Sequence, residues 1–311
     1  PASRQLEISL ARQGLAAHAK FAFAADDRTG GAPEVEGQVS KVNAWPSCLR
    51  PERADRPGGK GATALSLALR TRGQEPANNV ASAPLDDVYS DDISIPATDG
   101  YALAATLYLP RGAKHHAVLI NSATAVPRGY YDAFARYLTR QGCAVLTYDY
   151  RGIGGSRPKP SAAGGKPPSL RGFNASMTDW AAKDVTGAVM WMRQRYGNLP
   201  LLYVGHSFGG QALGLLPNNT EVTRALFVSA QAAYWKLMPS PERYRVYLFM
   251  NYLGMPVARV AGYLPGRMML GQDLPKGVFL EWTRWVMNER YLLGDATLAA
   301  LPNFANYKAP L

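Results

Sequence analysis

Cysteine and long apolar runs are both scarce in this chain of 311 residues. The two cysteines, Cys48 and Cys143, lie far apart in unlike surroundings, one in a Pro/Arg-rich stretch and one at the head of a predicted strand. They therefore indicate neither a disulfide framework nor a metal site. No apolar stretch reaches the roughly 18 residues that a bilayer-spanning helix needs. The composition favours a cytoplasmic protein without a membrane span.

Basic residues outnumber acidic ones, giving a formal net charge of +11, but no nucleic-acid-binding motif is present. Lys and Arg are scattered through predicted turns and helices and are not gathered in one run with interleaved aromatic side chains. Two glycine-rich segments, residues 58–61 and 152–155, also lack the spacing of a phosphate-binding loop. In the second segment, Arg157 stands where a third glycine is required. We therefore expect no nucleic-acid partner and no cofactor.

Patterns of apolar residues divide the chain into an irregular N-terminal part and a regular remainder. Residues 1–85 show neither helical nor strand periodicity and are expected to be a disordered or weakly ordered extension. Apolar residues then alternate around Asp99 and Gly100, which predicts a hairpin. Predicted strands and helices alternate from there, including a long helix with Ser176 as its N-cap. Residues 86–230 are therefore predicted to form an α/β core, a mostly parallel sheet flanked by helices.

The alternation of strands and helices stops at residue 231, and residues 231–301 are rich in aromatic and methionine side chains. This region holds six of the nine methionines and three of the six tryptophans. It is predicted to be an inserted helical cap, or lid, whose side chains line a pocket for an apolar group. The alternative is that these side chains only pack the cap against the core. Residues 302–311 are interpreted as the start of the next core strand.

The segment Gly205-His206-Ser207-Phe208-Gly209 follows a predicted strand and opens a helix of small residues. A serine at such a turn has a strained backbone, and the flanking glycines remove side chains that would clash across it. This pattern is typical of a nucleophile elbow, with Ser207 as the nucleophile. It predicts a serine hydrolase that works through an acyl-serine intermediate.

An oxyanion hole beside this serine needs two amide donors. The amide of Phe208 is one candidate, because it follows the nucleophile at the start of a helix. The second donor is expected in the loop after the strand at residues 117–120. Ala123 is the first choice for this donor and Thr124 is the alternative.

The chain has only four histidines, and none of them follows Ser207. His115 and His116 precede a strand whose opposite end carries the predicted site. His206 is adjacent to the serine but is expected to pack beneath the end of the sheet. His18 lies in the N-terminal extension and is assigned no role. Because a serine without a general base is a weak nucleophile, we expect this chain to be nearly inactive.

A second glycine-rich stretch accompanies the elbow. In residues 149–156, DYRGIGGS, we expect Asp149 and Arg151 to brace the strand end beside Ser207. Together with residues 205–211, GHSFGGQ, this stretch resembles the α/β-hydrolase superfamily, in its serine aminopeptidase-like and lysophospholipase-like branch. The resemblance covers about residues 88–311 and implies an α/β-hydrolase fold with an inserted helical cap.

In that superfamily the catalytic acid follows the next strand, and the catalytic histidine follows the strand after it. The triad acid and histidine are absent from this chain, so the resemblance implies C-terminal truncation, with the final strands and helices missing. The implied parent protein is a serine hydrolase that acts on an ester or related acyl bond of a small molecule with an apolar acyl group. Two alternatives remain open: an acyltransferase, and a non-catalytic binding or interaction module with the same fold.

Overall fold

The structure is a computed structural model that describes residues 88–159, 168–268 and 271–311. The predicted N-terminal extension, residues 1–85, lies outside these ranges. Within them, no helix is both long enough and apolar enough to cross a lipid bilayer.

Two antiparallel strands, β1 (Val88–Pro96) and β2 (Ala102–Pro110), form the predicted hairpin. The turn between them contains Asp99 and Gly100. Gly100 has a φ of 81°, a left-handed conformation that glycine adopts without steric cost. Every second side chain in the first half of β2 is buried, as the alternating pattern predicts. The hairpin prediction is confirmed.

Strands and helices then alternate along the chain. The strands are β3 (His116–Asn121), β4 (Cys143–Tyr148), β5 (Leu201–His206) and β6 (Arg224–Val228). The helices are α1 (Asp132–Arg140), α2 (residues 177–196) and α3 (Phe208–Ala212). A short 3-10 turn, Arg128–Tyr131, leads into α1. The predicted alternation is confirmed for this part of the chain.

The six strands form one sheet in the order β1-β2-β4-β3-β5-β6. Strands β4, β3, β5 and β6 are parallel, and β2 is antiparallel to β4. In this register Asn121 pairs with Gly205, and His206 pairs with Val228. The carboxyl ends of three parallel strands therefore meet around the predicted elbow, at the edge where open α/β sheets bind their ligands. The prediction of a mostly parallel sheet is confirmed.

Successive residues of β3 point to opposite faces of the sheet and join two separate cores. Ala117 and Leu119 belong to the larger core, together with Trp180 of α2. Val118 and Ile120 belong to the smaller core, which includes buried residues of α1. Helices thus cover both faces of the sheet, which explains why this strand is an unbroken apolar run.

Helix α2 begins at its predicted N-cap. The Ser176 hydroxyl accepts a hydrogen bond from the Asp179 amide, and the Asp179 carboxylate accepts one from the Ser176 amide, both at 2.9 Å. The helix is α-helical over Met177–Asp179 and Thr186–Tyr196, with a π-helical stretch, Trp180–Val185, between these parts. Such π-helical turns are frequent at functional sites.

After β6 the chain forms short helices and no further strand of the main sheet within the described ranges. We call residues 231–301 the cap segment. Its main elements are α4 (residues 242–261), β7 (Tyr263–Leu264), β8 (Leu274–Pro275) and α5 (Lys276–Met287). Helix α4 is α-helical at both ends and π-helical in its middle, Phe249–Gly254. The two short strands pair with each other between α4 and α5.

Residues 302–311, interpreted from the sequence as the start of the next core strand, contain no strand in the structure. Leu301–Asn306 is a 3-10 helix with Pro302 in its first turn. The residues that follow form one backbone hydrogen bond with β6, from the Ala225 amide to the Pro310 carbonyl, at 3.1 Å. Proline has no amide proton, so Pro310 cannot donate to a strand ladder in return.

Candidate active site

Ser207 lies between the last residue of β5 and the first residue of α3, in a backbone conformation that only glycine adopts readily. Its φ is 51° and its ψ is −117°. The Ser207 amide donates to the Val228 carbonyl at 2.8 Å, and the Ser207 carbonyl accepts from the Gly210 amide at 2.9 Å. A serine before a helix commonly caps it, but the Ser207 side chain makes no capping hydrogen bond. The strained turn thus keeps this hydroxyl apart from the helix.

The turn requires glycine on both sides of the serine. A Cβ on Gly205 would lie 2.5 Å from the Gly210 amide nitrogen. A Cβ on Gly209 would lie 2.7 Å from the carbonyl carbon of Asn121. Both distances are far inside van der Waals contact, so a side chain at either position would force α3 away from β5 or β3. Gly205 and Gly209 occupy the two positions at which the elbow pattern calls for glycine.

Asn121, at the carboxyl end of β3, is bonded to the strands on both sides. Its side-chain nitrogen donates to the Val204 carbonyl of β5 at 3.2 Å, and its side-chain oxygen accepts from the Tyr148 hydroxyl of β4 at 2.7 Å. The residue is completely buried. One buried amide group therefore fixes the relative positions of three strand ends beside Ser207.

Phe208, the first residue of α3, has an amide that no carbonyl of its own helix can accept. Its ring is buried and packs edge to face against Tyr150, with ring centroids 5.9 Å apart. The indole of Trp180 lies beside it at 5.8 Å. This packing fixes the peptide group between Ser207 and Phe208, which is the group expected to donate to an oxyanion.

Ala123, the first choice for the second oxyanion donor, uses its amide elsewhere. That amide donates a hydrogen bond of 2.9 Å to the hydroxyl of Tyr131, at the end of the 3-10 turn before α1. An amide has a single proton to donate, so Ala123 does not serve an oxyanion in this conformation. The expectation for Ala123 is corrected on this ground. The alternative, Thr124, is also buried in this loop, and we retain its amide as the candidate.

His206 precedes Ser207 but is bonded to a different residue. Its Nδ1 lies 2.9 Å from the Tyr131 hydroxyl, and the two rings pack edge to face. Burial lowers the pKa of His206 below its ordinary value, so the ring is neutral at neutral pH. His115 and His116 lie at the amino-terminal end of β3, opposite the end that carries the site. No histidine of the described residues is hydrogen bonded to Ser207.

Asp149, directly after β4, is buried and satisfied by its neighbours. Its carboxylate accepts from the Arg128 amide at 2.6 Å and from the Arg128 guanidinium at 2.5 Å. It also accepts from the Gly155 amide at 2.9 Å, and the Asp149 carbonyl accepts from the Ser156 hydroxyl at 2.7 Å. Asp149 therefore fixes the loop before α1 and the glycine-rich loop after β4. Asp149 forms its ion pair with Arg128, whereas Arg151 pairs with other carboxylates.

Arg151 joins three separate elements in an ion-pair cluster in which Arg151 and Asp184 are buried and Asp99 is exposed. Its guanidinium donates to Asp184 of α2 at 2.6 and 2.7 Å, and to Asp99 of the hairpin turn at 2.7 and 2.8 Å. The Arg151 amide also donates to Asp184, and its carbonyl accepts from the Trp180 indole at 3.0 Å. Hydrogen bonds from Arg151 lower the pKa of Asp99 to about 2. The cluster ties the strand end of β4 to α2 and to the hairpin.

An apolar cavity of about 160 Å³ lies beside α3, next to Gly210 and Gln211. Ser207 itself is not among its lining residues. The rest of the wall is mostly apolar and includes Phe227, Tyr291, Leu292, Leu293, Phe304 and Leu311. Its volume is on the order of five water molecules, enough for a short apolar group. The large buried side chains Met250, Phe279 and Trp285 of the cap segment instead pack into the main core.

Three residues that shape this site carry no motif. Tyr131 and Arg128 contact the site from the 3-10 turn Arg128–Tyr131, and no residue pattern in that turn predicts these contacts. Asp184 carried one usable signal, because a charged residue within the apolar stripe of a predicted helix needs a buried partner. Within the described ranges, no group of three or more His, Cys, Asp or Glu side chains could hold a metal ion.

Comparison with known proteins gives a family match. A family model described as serine aminopeptidase, S33, matches residues 112–269, which include the elbow. Comparison with curated protein sequences finds no significant match.

Solved structures also resemble this chain. A hypothetical protein from Pseudomonas aeruginosa is 17% identical with a TM-score of 0.39, and the alignment covers 62% of each chain. An esterase from Pyrococcus furiosus is 19% identical with a TM-score of 0.34, over 44% of this chain and 49% of that one. A thermostable carboxyl esterase from Bacillus coagulans is 14% identical with a TM-score of 0.40, over 58% of each. This chain spans between 49% and 62% of the length of these proteins.

The matched segment covers more than half of the 311 residues. It begins just before β3 and includes the three parallel strands whose carboxyl ends surround Ser207. The strand order and the turn between β5 and α3 agree with the fold that the sequence resemblance implies. The chain therefore belongs to the serine aminopeptidase S33 family of α/β hydrolases.

Proposed function

We propose that this protein is a serine hydrolase that attacks an ester or a related acyl bond through Ser207. The observation that carries the proposal is the left-handed backbone of Ser207, with φ 51° and ψ −117°, at a strand–helix junction. Backbone strain of this kind persists where the surrounding structure imposes it, and it clusters at active sites. Membership of a hydrolase family supports the same chemistry.

In the proposed reaction the Ser207 oxygen forms a bond to the acyl carbon, and the carbonyl oxygen becomes an oxyanion. Collapse of this intermediate expels the alcohol or amine and leaves an acyl-serine, which water then hydrolyses. We assign the Phe208 amide as one oxyanion donor and the Thr124 amide as the second. Each such donor contributes about 3 kcal/mol to the transition state in well-studied hydrolases.

No described histidine is hydrogen bonded to Ser207, so water accepts the serine proton and a proton from water goes to the departing alcohol or amine. Without a general base at the serine, only residual catalysis is expected. We therefore expect this chain to react with activated acyl and phosphonyl reagents and to turn over ordinary esters very slowly. Although Ser207 does not line it, the apolar cavity begins at Gly210, three residues later, and we assign it to a short apolar acyl group of a small-molecule substrate.

The test is covalent labelling with a fluorophosphonate, followed by intact mass and peptide mapping. We expect a single adduct on Ser207 that is lost in Ser207→Ala. A matched control is Ser229→Ala, because Ser229 also follows a parallel strand and has a φ of 52°, yet no helix begins after it. This variant should label as the wild type does.

A folded protein that gains no adduct at Ser207 would contradict the proposal and favour a non-catalytic binding module with the same fold. If the adduct forms, a series of p-nitrophenyl esters tests the acyl preference. We expect release of about one equivalent of p-nitrophenol per protein, fastest for short acyl chains, followed by slow turnover.

A further inference from the structure

Helix α4 presents a row of apolar side chains to solvent. Every fourth residue on one side of the helix is exposed: Tyr244, Leu248, Tyr252, Pro256 and Val260. Tyr252 is 68% exposed and Val260 is 80% exposed. We call these five residues the outer cap face. Monomeric proteins rarely leave so continuous an apolar surface in water without a use for it.

The opposite side of α4 repeats with the same period. Met250, Gly254 and Ala258 are buried, and they lie two residues out of phase with the outer cap face. An α-helix repeats every 3.6 residues, so a row at four-residue spacing would drift around it. The π-helical middle of α4, Phe249–Gly254, widens the turns and keeps the row aligned. The helix therefore has one inner side and one outer side, and the outer side is apolar.

The charges around this face are almost all positive. Residues 231–268 contain a single acidic residue, Glu242, and five basic ones: Lys236, Arg243, Arg245, Arg259 and Arg267. The Arg245 side chain is 72% exposed, although it pairs with Glu242 at 3.2 Å.

Two of the basic groups contact aromatic rings. The Arg243 guanidinium lies over the ring of Tyr244 at 5.2 Å, and the Lys236 ammonium lies over Trp235 at 5.6 Å. A Lys or Arg side chain that lies over an aromatic ring keeps N–H groups that can still donate hydrogen bonds to phosphate oxygens.

We propose that the outer cap face docks the protein on an anionic lipid surface. Tyrosine and leucine side chains would enter the boundary between headgroups and acyl chains, while the neighbouring arginines bind lipid phosphates. An apolar row with a basic surround complements such a surface in both polarity and charge. The row lies on one side of a single helix, a form that suits a flat bilayer. Docking of this kind goes beyond the proposed hydrolase chemistry and does not depend on Ser207.

The test is co-sedimentation of the full chain with vesicles of phosphatidylcholine alone, or of equal parts phosphatidylcholine and phosphatidylglycerol. We expect binding at least tenfold tighter to the anionic vesicles, and weaker binding as salt is added. Replacing Arg245→Gln together with Arg259→Gln should weaken that binding about thirtyfold. Replacing Leu248→Ser together with Tyr252→Ser should weaken it at least tenfold.

A matched control is Met190→Ser, because Met190 is an exposed apolar residue of α2 outside the cap segment. It should bind like the wild type, as should Ser207→Ala, which separates docking from catalysis. Apart from Ser207, the replaced side chains are all exposed, and circular dichroism should show each variant folded. Equal binding to both vesicle types, or binding that none of the cap variants weakens, would overturn the proposal. A dimer that Leu248→Ser dissociates, without vesicle binding, would show that a second copy covers this face.

Discussion

The hydroxyl of Tyr131 lies 2.9 Å from Nδ1 of His206 and also 2.9 Å from the amide nitrogen of Ala123. The Ala123 amide donates to the Tyr131 oxygen, and the Tyr131 proton can be donated to Nδ1 when neutral His206 carries its proton on Nε2. A protonated His206 would carry a proton on Nδ1 as well and could not accept that bond. The loop after β3 is thereby linked to the protonation state of the residue before Ser207.

Stability should fall as the pH drops below about 6.5, the ordinary pKa of histidine. Burial lowers the pKa of His206 in the folded state, so the unfolded chain binds the proton more tightly. The resulting loss begins at the unfolded pKa and continues down to the folded one. Urea unfolding across this range measures it. His206→Asn has no titrating ring and should lose this part of the pH dependence; an unchanged profile would contradict the assignment.

Gly209→Ala should destabilise the protein and abolish labelling of Ser207. The added Cβ would meet the backbone of Asn121 and push α3 away from β3. Overpacking of this kind costs about 1–3 kcal/mol. Gly112→Ala is the matched control, because a Cβ there would have no atom within 4 Å, and its effect should stay within about 0.5 kcal/mol. Urea unfolding and fluorophosphonate labelling of both variants give the comparison. Normal labelling of Gly209→Ala would show that the elbow tolerates a side chain.

Asp184→Ala should lower the free energy of unfolding by about 3 kcal/mol, because it removes the fully buried carboxylate that pairs with the Arg151 guanidinium and leaves only the partly exposed Asp99. The exposed pair of Arg245 and Glu242 offers a contrast. Arg245→Gln should change stability by less than about 1 kcal/mol. Chemical denaturation measures both. Similar losses in the two variants would mean that the buried cluster contributes no more than a surface pair.

Local patterns were enough to predict the hairpin, the parallel strands and the turn at Ser207. Each depends on residues close together in sequence, such as Asp99 with Gly100, or Gly205 with Gly209. The conformation of Ser207 follows from the same short segment, since a buried strand, two glycines and a helix start leave the chain few other paths.

The hydrogen-bond partners could not be predicted in this way. The partner of the Ala123 amide is a hydroxyl eight positions later, brought across the loop by a 3-10 turn that no residue pattern marks. The clusters around Asp149 and Arg151 depend on contacts between separate elements. Residues 302–311 were interpreted as the start of the next core strand, and no residue pattern predicted that Leu301–Asn306 forms a 3-10 helix with Pro302 in its first turn.

Thermal motion cannot displace the end of β3 independently of the elbow, because the buried side chain of Asn121 is bonded to β4 and β5 at once. The ends of β3, β4 and β5 beside Ser207 should therefore move together as one rigid unit. Among the described residues, we expect any movement that admits a substrate in the cap segment, because its short helices are not held by the hydrogen bonds of Asn121. Substrate entry and alignment of the serine would then be controlled by different parts of the chain.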